Sequence, residues 1–593
     1  MSARPGVRPR SRLVTWTGQL GHAIAWVLIG AQVLYLTAPA IAHITTRQIG
    51  DGGDGPQSLW NIAWIRGWIE GHHGLFFTHQ LFAPVGANLA WMTLALPVNA
   101  AAAVVSPLLG LVGSYNVMVL LSQTLNGVSM YHFARRLGVG WLAGLAAGAT
   151  FIGSGHLVAE MLGHIHLLQA FLIIWFTQLL WGIFDSPNHL WLRAALLGAT
   201  WAITFYAVED YALYELAVAL LVVFTHPAIR GERWSALLRH GPAWLLAAGI
   251  GLATSAPLWA SLLWGPLSPG LAAIAQPVTT PYVVDLAGFL VPGPRGPFWW
   301  LGPHWSLSAA LVEVAFPGFL VLAALYAAIR ARWPAPPGQE GLKRLSLIGT
   351  GVFGVLELGP YLHVDGVSTA IPMPYLLLSH VPGWSVTLPV RLSVLTGLFG
   401  SLLVATMIDR LIVRVRWWSV GLKVGLVGAG VGLLALGCSW LPFPLSAVPT
   451  VVYATETRQA GGEVLFAPAV VPFTDLGSGP VTYMYWDAVL GLPTPEGYVS
   501  RIPSATKHRI DRNVVLRYLW SWQYGHASDV GLRQAAGSDL VSYLDRHDVR
   551  SIVVLTFEVS NAESRIAWLR RELGSRYRVN RFPDAVVFTC TSQ

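Results

Sequence analysis

Two aspartates, Asp51 and Asp54, stand in the stretch GDGGDGPQSLWNIAW at residues 50–64, among glycines and ahead of tryptophans at helical spacing. Only 11% of the chain is charged, so two acids in one short loop are a signal. A carboxylate within reach of a hydroxyl can act as general base. That chemistry is read for Asp54, with Asp51 as a second candidate, against the plain alternative of a solvated glycine-rich turn. A second acidic pair, Glu209 and Asp210, lies in FYAVEDYALYE. Beside a cavity such a pair can share a proton, engage an acceptor or bind a divalent cation; the alternative is a cap on a tight connection. Arg391, in SVTLPVRLSVL, offers a guanidinium matched to paired phosphate oxygens and suited to a leaving phosphate, or else an interfacial anchor.

Histidines 164 and 166 are two residues apart in GSGHLVAEMLGHIHLLQ, which also carries Glu160. On a helix their side chains diverge by about 200°, which argues for a polar lining rather than a shared metal. Asp285 and Asp365 fall in later loops, while Glu313 and Glu357 fall in apolar runs and read as hydrogen-bond partners within them. The two cysteines, Cys438 and Cys590, lie far apart, so neither a disulfide nor a cysteine metal site is expected. No nucleotide-binding glycine loop and no nucleophile elbow is present. A divalent cation at the Glu209–Asp210 pair is the one cofactor left open.

The elements that position these residues follow from composition. The 593 residues are 54% hydrophobic, with 27 tryptophans, and the mean hydropathy is +0.54. A soluble chain carries about 25% charged residues, so this is a polytopic membrane protein. The basic start MSARPGVRPRSR precedes an apolar run too long for a signal-peptide core, and that run reads as a first span. Apolar runs predict eleven spans centred near 31, 125, 148, 176, 200, 218, 252, 318, 353, 400 and 430. The stretch 88–111, with two prolines, reads as short re-entrant or interfacial helices instead of a twelfth. With the N-terminus cytoplasmic, 18 Lys/Arg fall in cytoplasmic segments against four (Arg47, Arg66, Arg295, Arg391) in outer ones. That bias orients the chain with its N-terminus in the cytoplasm and its tail outside. The net charge of +8 is thus a matter of topology and implies no nucleic acid.

The expected organisation is a basic N-terminus at 1–19, a membrane domain at 20–441 with long outer loops at about 44–114 and 264–304, and a soluble domain at 442–593. Tryptophans 299, 300 and 305 read as an interfacial aromatic belt. The tail holds 15 of the 37 Lys/Arg and 14 of the 29 Asp/Glu, as a soluble domain would. In it EVLFAP, RSIVVLTFEV and DAVVFTCT read as buried strands, and DLVSYLDRHDV and AESRIAWLRRELGSRY as amphipathic helices. Their alternation predicts a small extracytoplasmic α/β domain. No internal repeat is evident.

The segments GDGPQSLWNIAW, FFTHQLFAPVGANLAW, MYHFARRLGVGWLAGLAAGATF, GHIHLL, VEDYAL, VVDLAGFLVP, LELGPYLHVDG and IPMPYLLLSHVPGWSVTLPVR resemble the GT-C superfamily of integral membrane glycosyltransferases. With VLFAP and GYVSR in the tail, they more narrowly resemble a group of bacterial GT-C-like membrane proteins. The resemblance implies an all-α polytopic domain, juxtamembrane helices in the first outer loop and a small C-terminal α/β domain. It implies a polyprenyl-phosphate-linked sugar as donor, with a glycan, lipid or protein hydroxyl as acceptor. On it Asp54 matches the loop acid, Glu209 and Asp210 an acidic pair, and His164 the histidine of a GH motif. One departure stands out: relatives carry a proline–histidine pair where this chain reads IRGWIEGHHG, which leaves His72 or His73 to take that part. Two rival classes remain, a lipid-linked saccharide transporter and a non-catalytic subunit of a membrane or envelope complex. A transporter requires polar residues at mid-membrane and repeat symmetry, whereas the acids here cluster on one side.

Overall fold

The computed structural model describes residues 12–185, 188–230, 240–270, 282–290, 316–330, 334–415, 443–469, 479–499, 504–523 and 530–591, with a few positions between 419 and 428. Helices occupy 12–36, 96–136, 141–152, 171–185, 190–207, 209–230, 241–264, 340–356 and 393–414, over the expected apolar runs. The run expected near 318 becomes helical at Phe319. The span centred near 430 lies outside the described residues, as do Arg295, Trp299, Trp300, Trp305, Glu313 and Cys438. Among the described residues five helices are long and apolar enough to cross a membrane, including Leu96–Arg136 and Pro389–Arg414.

The stretch 88–111 differs in detail from its reading. A short 3-10 turn at Leu89–Trp91 leads into one 41-residue helix, Leu96–Arg136, broken at Gly110 (φ 69°, ψ 175°). At 1.5 Å per residue an unbroken helix of that length would measure about 60 Å, twice the hydrocarbon thickness. The break at Gly110 divides it into a leading piece and a spanning piece.

Past the first span the chain is tied down by long-range bonds. Arg47–Ile49 pairs antiparallel with Leu445–Ala447, across almost 400 residues of sequence. Buried Asn116 clamps the same strand: its amide donates to the carbonyls of Ile44 and Arg47 at 2.8 and 2.7 Å, and its oxygen accepts from Ile49 N–H at 2.8 Å. A juxtamembrane helix, Gly55–Ile69, follows; Pro56 sits in its first turn, and Leu59, Trp60, Ile62 and Ile65 are buried. It packs on Leu96–Arg136 on one side and on Gly479–Leu490 of the tail on the other.

The tail folds around a four-stranded sheet in the order Glu463–Ala467, Val549–Leu555, Ala585–Cys590, Tyr577–Arg581. The first pair is parallel and the other two are antiparallel. Helix Val530–Arg546 starts nine residues before the expected run DLVSYLDRHDV and ends three before its last residue, Val549, which opens a strand, while Ala562–Leu573 starts where the sequence places it. The second ends four residues early, because Tyr577–Arg581 is an edge strand rather than helix. A loop register fixes tail to membrane part: Phe82 and Ala83 N–H donate to the carbonyls of Glu496 and Thr494, each at 2.9 Å.

Candidate active site

The glycine-rich loop owes its glycines to a close backbone approach. Gly50 has φ of +112°, a left-handed value, and a Cβ there would sit 2.1 Å from the Leu162 carbonyl oxygen. Opposite it, a Cβ on Gly163 would press on Asp54 N at 3.0 Å. The loop therefore lies backbone-to-backbone against 161–164, with Asp51 N–H donating to the Leu162 carbonyl at 3.2 Å. Asp54 occupies the N-cap position of the juxtamembrane helix, yet its side chain makes no capping hydrogen bond. Its carboxylate is about one third exposed and lies 3.6 Å from His164 Nε2. Asp51 is exposed.

Behind Asp54 runs a line of titratable groups at four-residue spacing, on the segment between the helices 141–152 and 171–185 and outside both. His164 Nδ1 lies 2.8 Å from Glu160 Oε2, and Glu160 Oε1 lies 3.6 Å from His156 Nδ1. Burial alone would raise the Glu160 carboxyl, but the adjacent His164 charge outweighs it and holds the group at about 2. Burial alone would likewise lower His164, but Glu160 and then Asp54 overcome it and push the imidazole up to about 9. Burial dominates at His156 and lowers it to about 4. At neutral pH His164 is thus an imidazolium, Glu160 a carboxylate and His156 a neutral imidazole. His156 Nε2 sits 2.9 Å from the Tyr211 hydroxyl, which donates to the Leu167 carbonyl at 2.7 Å.

Beside this line a cavity of about 240 Å³ opens against the start of the helix Glu209–Arg230. Its walls are aromatic, with Trp91, Trp201, Phe205 and Trp259, and one end is polar, with Glu209, Asp210, Arg391 and His166. Arg391 Nη1 donates to Asp210 Oδ2 at 2.7 Å, both side chains being mostly buried. Among the described residues that is the one hydrogen bond of the guanidinium, so most of its five donors remain open. Asp210 spends one oxygen on Arg391, and Glu209 lines the same cavity beside it. Among the described residues no group of three or more His, Cys, Asp or Glu side chains is arranged to hold a metal ion.

The sequence candidates thus fall into two adjoining groups. Asp54 and His164 meet directly, and Asp210 and Arg391 meet directly with Glu209 beside them. His164 and His166 link the groups, their rings edge-to-face with centroids 5.8 Å apart. This corrects the helical reading of that pair: residues 161–163 and 165–168 are turns and His164 lies between them, so the rings approach instead of diverging. Neither aspartate of the glycine-rich loop lines the aromatic cavity. Glu160 and His156 complete the line although the sequence reading gave them no role. Their signal was the i, i+4 spacing of positions 156, 160 and 164. His72 and His73 lie elsewhere, on a separate cavity against the tail. Glu357 is fully buried and accepts a hydrogen bond from Thr396 at 3.2 Å.

No family model matches this sequence, and no curated protein matches it. Solved structures match in fold. A cryo-EM structure of a mutant of arabinofuranosyltransferase AftD from Mycobacteria superposes with a TM-score of 0.53 at 14% identity, over 96% of this chain and 41% of that one. The crystal structure of ArnT from Cupriavidus metallidurans bound to undecaprenyl phosphate gives 0.50 at 12% identity, over 96% and 98%. The chain spans about two fifths of the first and nearly all of the second. It shares the fold of these structures: a mostly helical body, with five helices long and apolar enough to cross a membrane among the described residues, and a small sheet near the C-terminus.

Proposed function

We propose that this GT-C-fold chain is an inverting membrane glycosyltransferase that moves a sugar from a polyprenyl-phosphate-linked donor to an acceptor hydroxyl. Its domains run as the sequence divides them, with the N-terminus cytoplasmic and the 442–593 domain and reaction centre on the extracytoplasmic side. Asp54 takes the proton from the acceptor hydroxyl as its oxygen attacks the anomeric carbon. The bond from that carbon to the phosphate oxygen breaks, and the electron pair leaves with the lipid phosphate. The open donors of Arg391 receive the developing charge, which is where preorganised cations contribute most. His164, cationic between two carboxylates, orients Asp54; Glu160 holds it in that state. No nucleotide takes part in these steps. Asp51 is the second candidate for the base.

The observation that carries this reading is the shape of the Arg391 cavity, aromatic along its walls and polar at one end, where the guanidinium keeps open donors. An amphiphile with an anionic head and a hydrocarbon tail is complementary to that pattern, and the crystallised ArnT is itself bound to undecaprenyl phosphate. The acceptor is a glycan, lipid or protein hydroxyl, and no nucleic acid is involved. The test is Asp54→Asn in membranes supplied with radiolabelled polyprenyl-phosphate sugars. Transfer is expected to fall by at least about 100-fold with expression unchanged. Transfer at the normal rate would reject Asp54 as base.

A further inference from the structure

A second and larger cavity, of about 500 Å³, lies between the C-terminal half of the juxtamembrane helix and the tail domain. It shares no lining residue with the Arg391 cavity, and its size falls within the range of about 300–1,000 Å³ typical of small-molecule sites. One wall comes from the helix Gly55–Ile69 and the loop that follows it. The other comes from Arg458 and the end of the helix Gly479–Leu490.

The decisive residue is Asp487, on that second wall. It is 5% exposed, it lines the cavity, and among the described residues its carboxyl takes part in no hydrogen bond. Leaving a buried polar group unpaired is costly, so a carboxyl kept there and lining open space leaves a partner's place vacant. Burial also pushes the group well above the usual carboxylate range, which favours its neutral form. A neutral carboxyl offers one donor and several acceptor positions, the same set that a hydroxyl presents.

The other charges on the walls are already matched. Arg66 Nε lies 2.8 Å from Glu70 Oε1, and His72 Nδ1 lies 3.6 Å from Glu70 Oε2. Arg458 donates to the Val489 carbonyl. His73 lies flat on Trp64, with ring centroids 3.5 Å apart. Polar walls whose charged side chains already have partners, one flat ring and an unpaired buried carboxyl favour a ligand rich in hydroxyls.

We propose that this cavity binds a neutral saccharide, one hydroxyl of which pairs with Asp487, and that it holds the acceptor glycan. Only the acceptor role rests on the glycosyl-transfer reading; the binding site stands on the cavity alone. The test titrates the full-length protein in lipid nanodiscs with neutral di- to tetrasaccharides of glucose, galactose, mannose and arabinose. At least one is expected to bind in the millimolar range or better. Asp487→Ala is expected to weaken it about three- to tenfold, the worth of one hydrogen bond. Ala63→Phe, which fills the cavity from the helix side without touching Asp487, is expected to abolish it. Asp54→Asn is expected to bind as wild type, so that loss of transfer and loss of binding are read separately. The inference is overturned if no neutral saccharide binds, if only charged saccharides bind, or if both cavity variants bind normally.

Discussion

The two ends of the helix Ser393–Arg414 treat their charged groups in opposite ways. Asp409, near its C-terminus, has both oxygens spent on closing neighbouring turns. Oδ1 accepts from Gly140 N–H at 3.1 Å and Oδ2 from Gln339 Nε2 at 2.7 Å, while that amide also donates to the Gly138 carbonyl. Eighteen residues away, about 27 Å along the axis, Arg391 keeps most of its donors open beside a cavity, and Asp54 stands partly exposed without a capping bond. Both ends hold acids, so the presence of an acid discriminates nothing. What separates them is whether the polar atoms are consumed by the fold or left facing space that a ligand can enter.

Substitutions can break or sharpen that contrast. The largest effect is expected from Asp54→Asn, a fall of about 10²–10⁴-fold in kcat. The melting temperature should hold, since the side chain makes no capping bond, and Asp51→Asn should leave turnover near wild type. Next is Asp210→Ala, which strands the Arg391 guanidinium in a mostly buried site. A loss of about 3–5 kcal/mol is expected in denaturant unfolding, and replacing Arg391 by Met in the same chain should restore part of it. Asp409→Ala is expected to cost about 1–3 kcal/mol through unsatisfied donors while kcat stays unchanged. A fall in kcat matching that of Asp54→Asn would erase the difference between the two ends.

The smallest effect is one of pH. The His164 imidazole is raised from 6.5 in the unfolded chain to about 9 in the fold. Its stabilising contribution is therefore complete below about 6.5 and is lost as pH rises through about 9. Thermal melts between pH 6 and 10 should show this decline in the wild type and a flatter profile in His164→Gln.

Much of the fold was legible, because spans depend on local hydropathy and the tail strands on short apolar runs. The edge strand Tyr577–Arg581 was not: its sequence YRVNR is polar on one side and continues the charge pattern of the preceding helix. The pairing of Arg47–Ile49 with Leu445–Ala447 was also hidden, since three-residue strands carry no local signal of a partner almost 400 residues away. The site divides the same way. Asp54 was visible from its glycines and His164 from its GH motif, and Arg391 from its place at the mouth of a span. The Asp210–Arg391 bond joins positions 181 apart, and nothing local announces it. Glu160 and His156 were legible in principle through their spacing, but the turns at 161–163 and 165–168 concealed that His164 and His166 face each other.

The central claim is that the aromatic cavity beside Arg391 receives a lipid phosphate. A cryo-EM structure of the protein in nanodiscs with added undecaprenyl phosphate tests it most directly. The expected result is phosphate density within hydrogen-bond distance of the Arg391 guanidinium, with the tail leaving along Trp201 and Trp259. Phosphate density at the Asp409 end, or an empty cavity at saturating lipid, would contradict it.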